Sequence, residues 1–593
     1  MKKRRPLWLK ILLTLLLVGL AACVWEFASS KNPYLLPVKR AIKYDVFHIS
    51  PVNASVEADG IGTGACTSFV NGEESGEEYV PGADNKHIWR GENGVNLVNY
   101  LDGYQMGFPV GTEFDFSLSP LFTRAFGDGW DATISREKAT YAGMKDVISF
   151  ELSTFFPFIH SRSVENYVDW YELRFLESDD WRANNRVRMD EVVCGREEGK
   201  YKYCCFQVED PGELDYDTYF YGFVFTGSRE YVRVMLRWDS RQALGQEILP
   251  WFQRAVEQMR TFDPTGEGVY QTNYAPVLPE NWSDETAALY ESIAESDTLR
   301  WGIFTQDIFE SGTDTVIPAL EEQLGYRFDV ELCYIHFDMD FPTDFLQKNW
   351  DEGRLVELTW QLTENNNEDM FARSPLLDIC RGERDDDLRA FARSAAAFGG
   401  SFLLRLNNEM NSDWTSYSGV VNLADPQLYV TAWQRIYRIF EEEGVNNCIW
   451  IFNPHDRSAP PEKWNDGLAF YPGNEYVQML GVTGYNNGTY YTQNNEQWRS
   501  FTTIYDEIDA LYRPHFAAFP WIITEFASSS IGGDKVAWIN EMFAHIHDYP
   551  NLKIAVWFSS ADYDGETPAR PYWLDETEQT LAAFRDGLAA SGA

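Results

Sequence analysis

Histidine and cysteine are scarce in this 593-residue chain, eight of each, and each scarcity excludes something. Eight cysteines over such a length imply no disulfide framework. Cys333 and Cys448 fall inside apolar, strand-like runs and read as small buried hydrophobes. Cys194, Cys204 and Cys205 lie close together, so an oxidising compartment would permit a bridge among them, in a pairing the sequence leaves open. His336 and His455 stand near Asp338 and Asp456, but neither has a second His or Cys at ligand spacing, so no metal is expected. Asp210, Asp215 and Asp217 lack the spacing of a calcium loop and read as a solvated turn around Pro211-Gly212. Cations are outnumbered too: 49 Lys and Arg face 91 Asp and Glu. The resulting net charge of −42 repels nucleic acid and anionic polymers and suits a neutral partner. No cofactor is implied, and no Gly-rich phosphate loop is present.

Aromatics are abundant instead, at 16% of the chain with 21 Trp and 32 Tyr. Such rings are ordinary core material and also the flat amphipathic surfaces on which sugars stack. At the N-terminus Lys2, Lys3, Arg4 and Arg5 precede an apolar run from about Leu7 to Trp25, the pattern of an export signal. Leu20-Ala21-Ala22-Cys23 looks like a bacterial lipoprotein site with Cys23 acylated; the competing reading is an uncleaved signal anchor. Both make the membrane a partner and tether the protein outside the cytoplasmic membrane.

Residues 1–27 are accordingly assigned to signal or anchor, and 28–43, with Pro33 and Pro37, to a tether. Residues 44–263 read as an accessory α+β sandwich with no constellation suggesting chemistry. Within it Tyr219 to Phe225 and Tyr231 to Trp238 form a hairpin. Arg233 and Arg237 alternate with Val232, Val234, Leu236 and Trp238, as in a half-buried strand. Leu249, Phe252, Val256, Met259 and Phe262 recur at helical spacing. One sheet under one long helix loosely resembles the PsbP and Mog1 sandwiches. Residues 264–284, with Pro264, Gly266, Gly268, Pro276 and Pro279, read as a linker.

From 285 to 593 strands and helices alternate. Strands are expected at Trp301-Phe304, Val330-Phe337, Leu355-Leu362, Phe402-Asn408, Cys448-Asn453, Val477-Tyr485, Trp521-Glu525 and Ile554-Phe558. Helices are expected at Thr315-Leu324, Asp387-Phe398, Gln427-Glu443, Trp498-Leu511, Lys535-His547 and Glu576-Leu588. Eight such repeats make an α/β fold, a (β/α)8 TIM barrel, with an open doubly wound sheet as the alternative. Two of the strands end in a carboxylate, Glu409 in SFLLRLNNEMNSDW and Glu525 in WIITEF. Strand ends share one face of a barrel, so the pair could converge as acid/base and nucleophile on a glycosidic bond.

These residues resemble the retaining barrel glycosidases, and among them glycoside hydrolase family 26, the endo-β-mannanases and relatives. Arg405-Leu406-Asn407-Asn408-Glu409-Met410-Asn411 with Trp414 looks like the family's acid/base segment. Thr524-Glu525-Phe526 resembles its nucleophile strand, and Gly481 to Tyr485 its sixth strand, whose tyrosine usually bonds the nucleophile. The resemblance implies Glu409 as acid/base and Glu525 as nucleophile. It also implies that Arg405, Asn408, Trp414, Tyr485, Trp557 and Trp360 bind substrate, with Trp557 as floor. Asn408, Gln361 and Thr483 depart from the family's usual residues, which puts mannan specificity in doubt. The expected activity is retaining, endo-acting hydrolysis of a neutral β-mannan or mixed-linkage β-glucan. The rivals are a barrel that binds carbohydrate without turnover and an envelope-glycan transglycosidase.

Overall fold

The computed structural model describes residues 86–591 except 93, 141–163, 189–194, 198, 243–244, 266–267, 269, 271, 365–372 and 493–495. The signal or anchor with Cys23, the tether and Cys194 lie outside the described residues. Among those described, no helix is long and apolar enough to cross a membrane.

Eight parallel strands close into a barrel: Arg300–Thr305, Val330–His336, Leu355–Gln361, Phe402–Leu406, Cys448–Phe452, Met479–Thr483, Trp521–Phe526 and Leu552–Ser559. All eight lie where the apolar runs placed them, and the open sheet is excluded. Alternate side chains point inward, where Leu332, Leu403, Ile451, Met479, Ile522 and Val556 fill the lower interior. A helix at Asp284–Ala294, which the sequence reading did not mark, plugs the bottom. Ser283 caps it by accepting from the Thr286 amide, and Tyr290 and Ile293 press on the interior layer. Outer helices begin where a side chain can take an orphan amide: Asp425 from Gln427, Ser500 from Thr503, Asp534 from Ala537. After the fifth strand two 3₁₀ turns, Lys463–Asn465 and Gly467–Phe470, stand where a helix would be.

The preceding domain contains an antiparallel sheet running from Glu113–Asp115 through Trp130–Lys138, Glu230–Trp238 and Thr218–Phe225 to Val187–Arg188, and a smaller four-stranded sheet. The helix Gly245–Gln258 covers one face of the large sheet with Phe252 and Val256. It stops short of Phe262, because Arg260–Thr261 pairs instead with Tyr104 and Gln105.

The other face of the large sheet is where the structure corrects the sequence reading. Arg233 and Arg237 do not face solvent; they are 1% and 5% exposed. Arg233 donates to Glu172 at 2.7 Å and to the Ala424 carbonyl at 2.6 Å, and Arg237 donates to Asp425 at 2.8 Å. The Tyr221 hydroxyl donates to the Leu423 carbonyl. The strand is therefore buried on both faces, its polar side gripping the barrel segment after the fourth strand. Cys204 and Cys205, adjacent in Tyr201–Val208, face opposite cores. The stretch read as a linker lies along the barrel, with Tyr274 against Tyr471 and Phe516, and Trp282 donating to the Cys448 carbonyl.

Candidate active site

The fourth strand ends at Leu406, and the chain then turns sharply, with Asn407 at φ 59° and Glu409 at φ 57°. Left-handed backbone at such residues costs about 1–3 kcal/mol each and persists only where neighbours fix it. Here the Asn407 carboxamide accepts from the Leu362 amide at 2.8 Å, and the Glu409 amide donates to the Asn453 carbonyl at 2.9 Å. The turn brings Glu409 over the barrel mouth. On the seventh strand a register shift between Ile523 and Phe526 interrupts the pairing where Glu525 projects. Both carboxylates line one cleft of about 1270 Å³.

Four donors converge on Glu525. Arg405 reaches Oε1 at 2.9 Å and Asn408 the same oxygen at 3.4 Å; Tyr485 reaches Oε2 at 3.0 Å, and Tyr334 donates there too. Asn408 cannot turn its amide the other way, because its Oδ1 already accepts from Gln361 at 2.9 Å and Tyr417 at 2.8 Å. Arg405 is held below by Thr359 at 2.7 Å and Asn453 at 3.1 Å. Beside it, 3.2 Å from Nε, is Glu357, wholly buried. Burial pushes the Glu357 carboxyl up to about 8, against the pull of Arg405, so it carries its proton at neutral pH.

Glu409 has a different setting. Burial pushes its carboxyl up to about 7; the nearby His455 opposes that rise and the charge of Glu525 adds to it. The Trp414 indole donates to its Oε2 at 3.1 Å, and Trp414 stands 44% exposed at the cleft edge. One carboxylate surrounded by donors and a second kept protonated near neutrality is the division of labour that acid-catalysed cleavage of an acetal needs.

Arg405, Asn408, Trp414 and Tyr485 thus gather where the resemblance implied. Trp360 and Trp557 do not. Trp360 is 1% exposed and stacks on Phe391 at 3.8 Å; Trp557 is fully buried among Phe526, Trp538 and Phe584. The reason is pleat: on those strands Glu357, Thr359 and Gln361, and Ile554, Val556 and Phe558, take the inward positions, which turns both tryptophans to the helices. Gln361 and Phe558 line the cleft in their stead, Phe558 stacked on Phe304 at 4.7 Å. Tyr334 was missed, although the alternation of Leu332, Tyr334 and His336 points it inward. Thr483 bonds Asn453 and Thr524 beneath the site.

A closed (β/α)8 barrel with carboxylates at the ends of its fourth and seventh strands has the architecture of a barrel glycoside hydrolase. Residues 400–516 match the sequence family described as Glycosyl hydrolase family 26. Over that stretch the barrel is similar to glycosyl hydrolase family 26. Endoglucanase H of Acetivibrio thermocellus is 29% identical over 286 residues, 47% of this chain. The alignment spans 29% of that relative's length. Among solved structures, Bacillus subtilis mannanase man26 superposes with a TM-score of 0.37 at 17% identity, covering 53% of this chain and 94% of that one. The catalytic domain of a Bacillus sp. JAMB-750 endo-β-1,4-mannanase gives 0.41 at 15% identity, covering 54% and 93%.

Proposed function

We propose that the protein is a retaining endo-β-glycoside hydrolase of neutral polysaccharide, with Glu409 as acid/base and Glu525 as nucleophile. The observation that carries the reading is the contrast between the two carboxylates across one cleft: four donors on Glu525, and a buried, proton-holding Glu409. Glu525 attacks the anomeric carbon while Glu409 protonates the departing oxygen; Glu409 then takes a proton from water, which releases the sugar. Tyr334, Tyr485, Arg405 and Asn408 fix the attacking oxygens, and the Asn408 amide also lies within reach of a sugar hydroxyl at the cleft.

The cleft itself favours a chain bound along its length. Trp414 and Phe309, 44% and 39% exposed, offer rings from the loops after the fourth and first strands. Asp307, Glu310, Asp413 and Asp562 outnumber Arg570, His336 and His455 among the ionisable acidic and basic lining residues besides the two glutamates, which disfavours uronic polymers. The name of the Acetivibrio relative makes a β-glucan the first substrate to try, and the likeness of the acid/base and nucleophile segments to family 26 makes β-mannan the second. On its N-terminal sequence the enzyme works tethered outside the cytoplasmic membrane, through acylated Cys23 or an uncleaved anchor.

The test is a panel of barley β-glucan, β-mannan and xylan, with the anomer of the first product followed by NMR. Release of β-configured ends, lost in both Glu409→Gln and Glu525→Gln, supports the proposal. Binding without turnover, or an inverted product, overturns it.

A further inference from the structure

Asn453 follows directly on the fifth strand, wholly buried and outside the lining of the cleft. Room for its side chain exists because the neighbouring sixth strand has glycine at 481, where a Cβ would stand 2.8 Å from that of Asn453. Its Oδ1 accepts from Arg405 Nη1 at 3.1 Å and from the Thr524 hydroxyl at 3.1 Å. Its Nδ2 donates to the Thr483 hydroxyl at 3.1 Å and to the Pro454 carbonyl at 3.3 Å. The carboxamide thus uses both lone pairs and both hydrogens. It cannot be turned over, because Arg405 only donates and the Pro454 carbonyl only accepts. Thr483, where this chain departs from the family's usual residue, lies 3.1 Å from the Thr524 hydroxyl and closes the ring.

Both donors to Oδ1 lead to Glu525. Arg405 Nη1 has two hydrogens, one spent on Asn453 and the other on Glu525 Oε1 at 2.9 Å, so the bond below sets the direction of the bond above. Thr524 immediately precedes Glu525 in a bulge that the ladders on either side skip. Ile523 and Glu525 are paired on the sixth strand, and Ile523 and Phe526 on the eighth, with nothing opposite Thr524. What pins the bulge is therefore the Thr524 hydroxyl, whose nearer carbonyl is Oδ1, against 3.3 Å for that of Val482. The main chain of the same asparagine reaches the other glutamate, since its carbonyl accepts from the Glu409 amide at 2.9 Å.

We propose that Asn453 is a positioning residue, whose carboxamide aims Glu525 through Arg405 and the Thr524 bulge while its main chain holds the turn that carries Glu409. This rests on the hydrolase reading. Asn453 touches no reacting atom. It fixes the attacking oxygen relative to the proton donor, and a displacement of about 1 Å between such groups costs about 100-fold in rate.

Two measurements test this. The first does not depend on activity: in a crystal structure of full-length Asn453→Ala, Arg405 Nη1 and Glu525 Oε1 separate beyond about 3.5 Å, the limit of a hydrogen bond. If that bond is kept, the proposal is overturned whatever the enzyme hydrolyses. The second uses the polysaccharide that the panel identifies. Asn453→Ala lowers kcat/KM by about 100-fold, with KM moved less than about twofold. In an Arg405→Lys background, where the arm to Glu525 is already broken, the same substitution costs less than about tenfold. An equal loss in both backgrounds is a merely structural effect and overturns the proposal. Should Asn453→Ala not fold, Thr524→Val keeps its shape and removes only the hydroxyl under Oδ1. It costs about tenfold in kcat, and a loss under about threefold overturns the proposal. If nothing in the panel is cleaved, the hydrolase reading fails while the crystal structure still decides whether Asn453 aims Glu525.

Discussion

Replacing Arg233 with Met tests whether the first domain and the barrel form one cooperative body. Arg233 and Glu172 are 1% and 0% exposed at their side chains and 2.7 Å apart. Removing one partner of such a pair strands a buried charge, at a cost of about 3–5 kcal/mol. If the two domains unfold together, a unit of about 500 residues has an unfolding entropy near 1 kcal/mol per degree, so Tm falls by about 3–5 °C in a single transition. If the first domain unfolds alone, with about 180 residues, its own transition falls by about 10 °C and the barrel's stays put. The deficit also depends on pH. Burial already raises the Glu172 carboxyl above its ordinary 4.5 against the pull of Arg233, and loss of Arg233 raises it further. The folded state then retains a proton that the unfolded state releases above about pH 4.5, so stability falls as pH rises, and the variant is worse at pH 8 than at pH 5. Calorimetry at both pH values, with Arg233→Met/Glu172→Gln recovering over half the loss, is the assay. A loss under about 1 kcal/mol, or one that shrinks with rising pH, refutes the reasoning.

Tyr334→Phe and Tyr485→Phe each remove a hydrogen bond to Glu525, worth about 1.5–3 kcal/mol to a charged acceptor. Each should cost about tenfold or more in kcat/KM in steady-state kinetics; a change under threefold would mean the hydroxyls are bystanders. Glu357→Gln mimics the protonated acid. The wild-type carboxyl, raised to about 8, draws stability down as pH climbs from about 4.5 to 8, and the amide does not. The Tm difference, variant minus wild type, should therefore grow with pH in thermal scans. Trp360→Ala should cost about 3–5 kcal/mol in denaturant unfolding, as a core indole does, with KM for the polysaccharide moved less than twofold.

The barrel was legible because parallel strands covered on both sides are written as apolar runs, and eight of these in alternation with helical stripes leave little choice of fold. The two glutamates were legible because each ends such a run. Rotation about the strand axis was harder to read. Trp360 and Trp557 sit one position from the cleft, and a one-residue step sends a side chain to the other face of the sheet. Arg405 was read correctly as inward by the same alternation that would have supplied Tyr334 and rejected Trp360. The helix that plugs the barrel floor went unseen because its apolar residues, Leu289, Tyr290 and Ile293, make too short a stripe to stand out from the Pro-rich stretch before it.

The misreading of Arg233 and Arg237 has a different origin. Polarity on alternate residues predicts an exposed face only if nothing polar is waiting opposite, and a single strand cannot report what lies across an interface. Opposite these arginines is the segment 407–425, which holds four of the seven non-glycine residues with left-handed backbone among those described: Asn407, Glu409, Leu423 and Ala424. Its near end carries Glu409 and Trp414 into the cleft. At its far end the carbonyls of Leu423 and Ala424 are taken by Tyr221 and Arg233, and Asp425, bound by Arg237, caps the next helix. Conformations costing about 1–3 kcal/mol apiece need such over-determination at both ends. The first domain, read from sequence as an accessory, thus restrains the far end of the loop that carries Glu409 into the cleft.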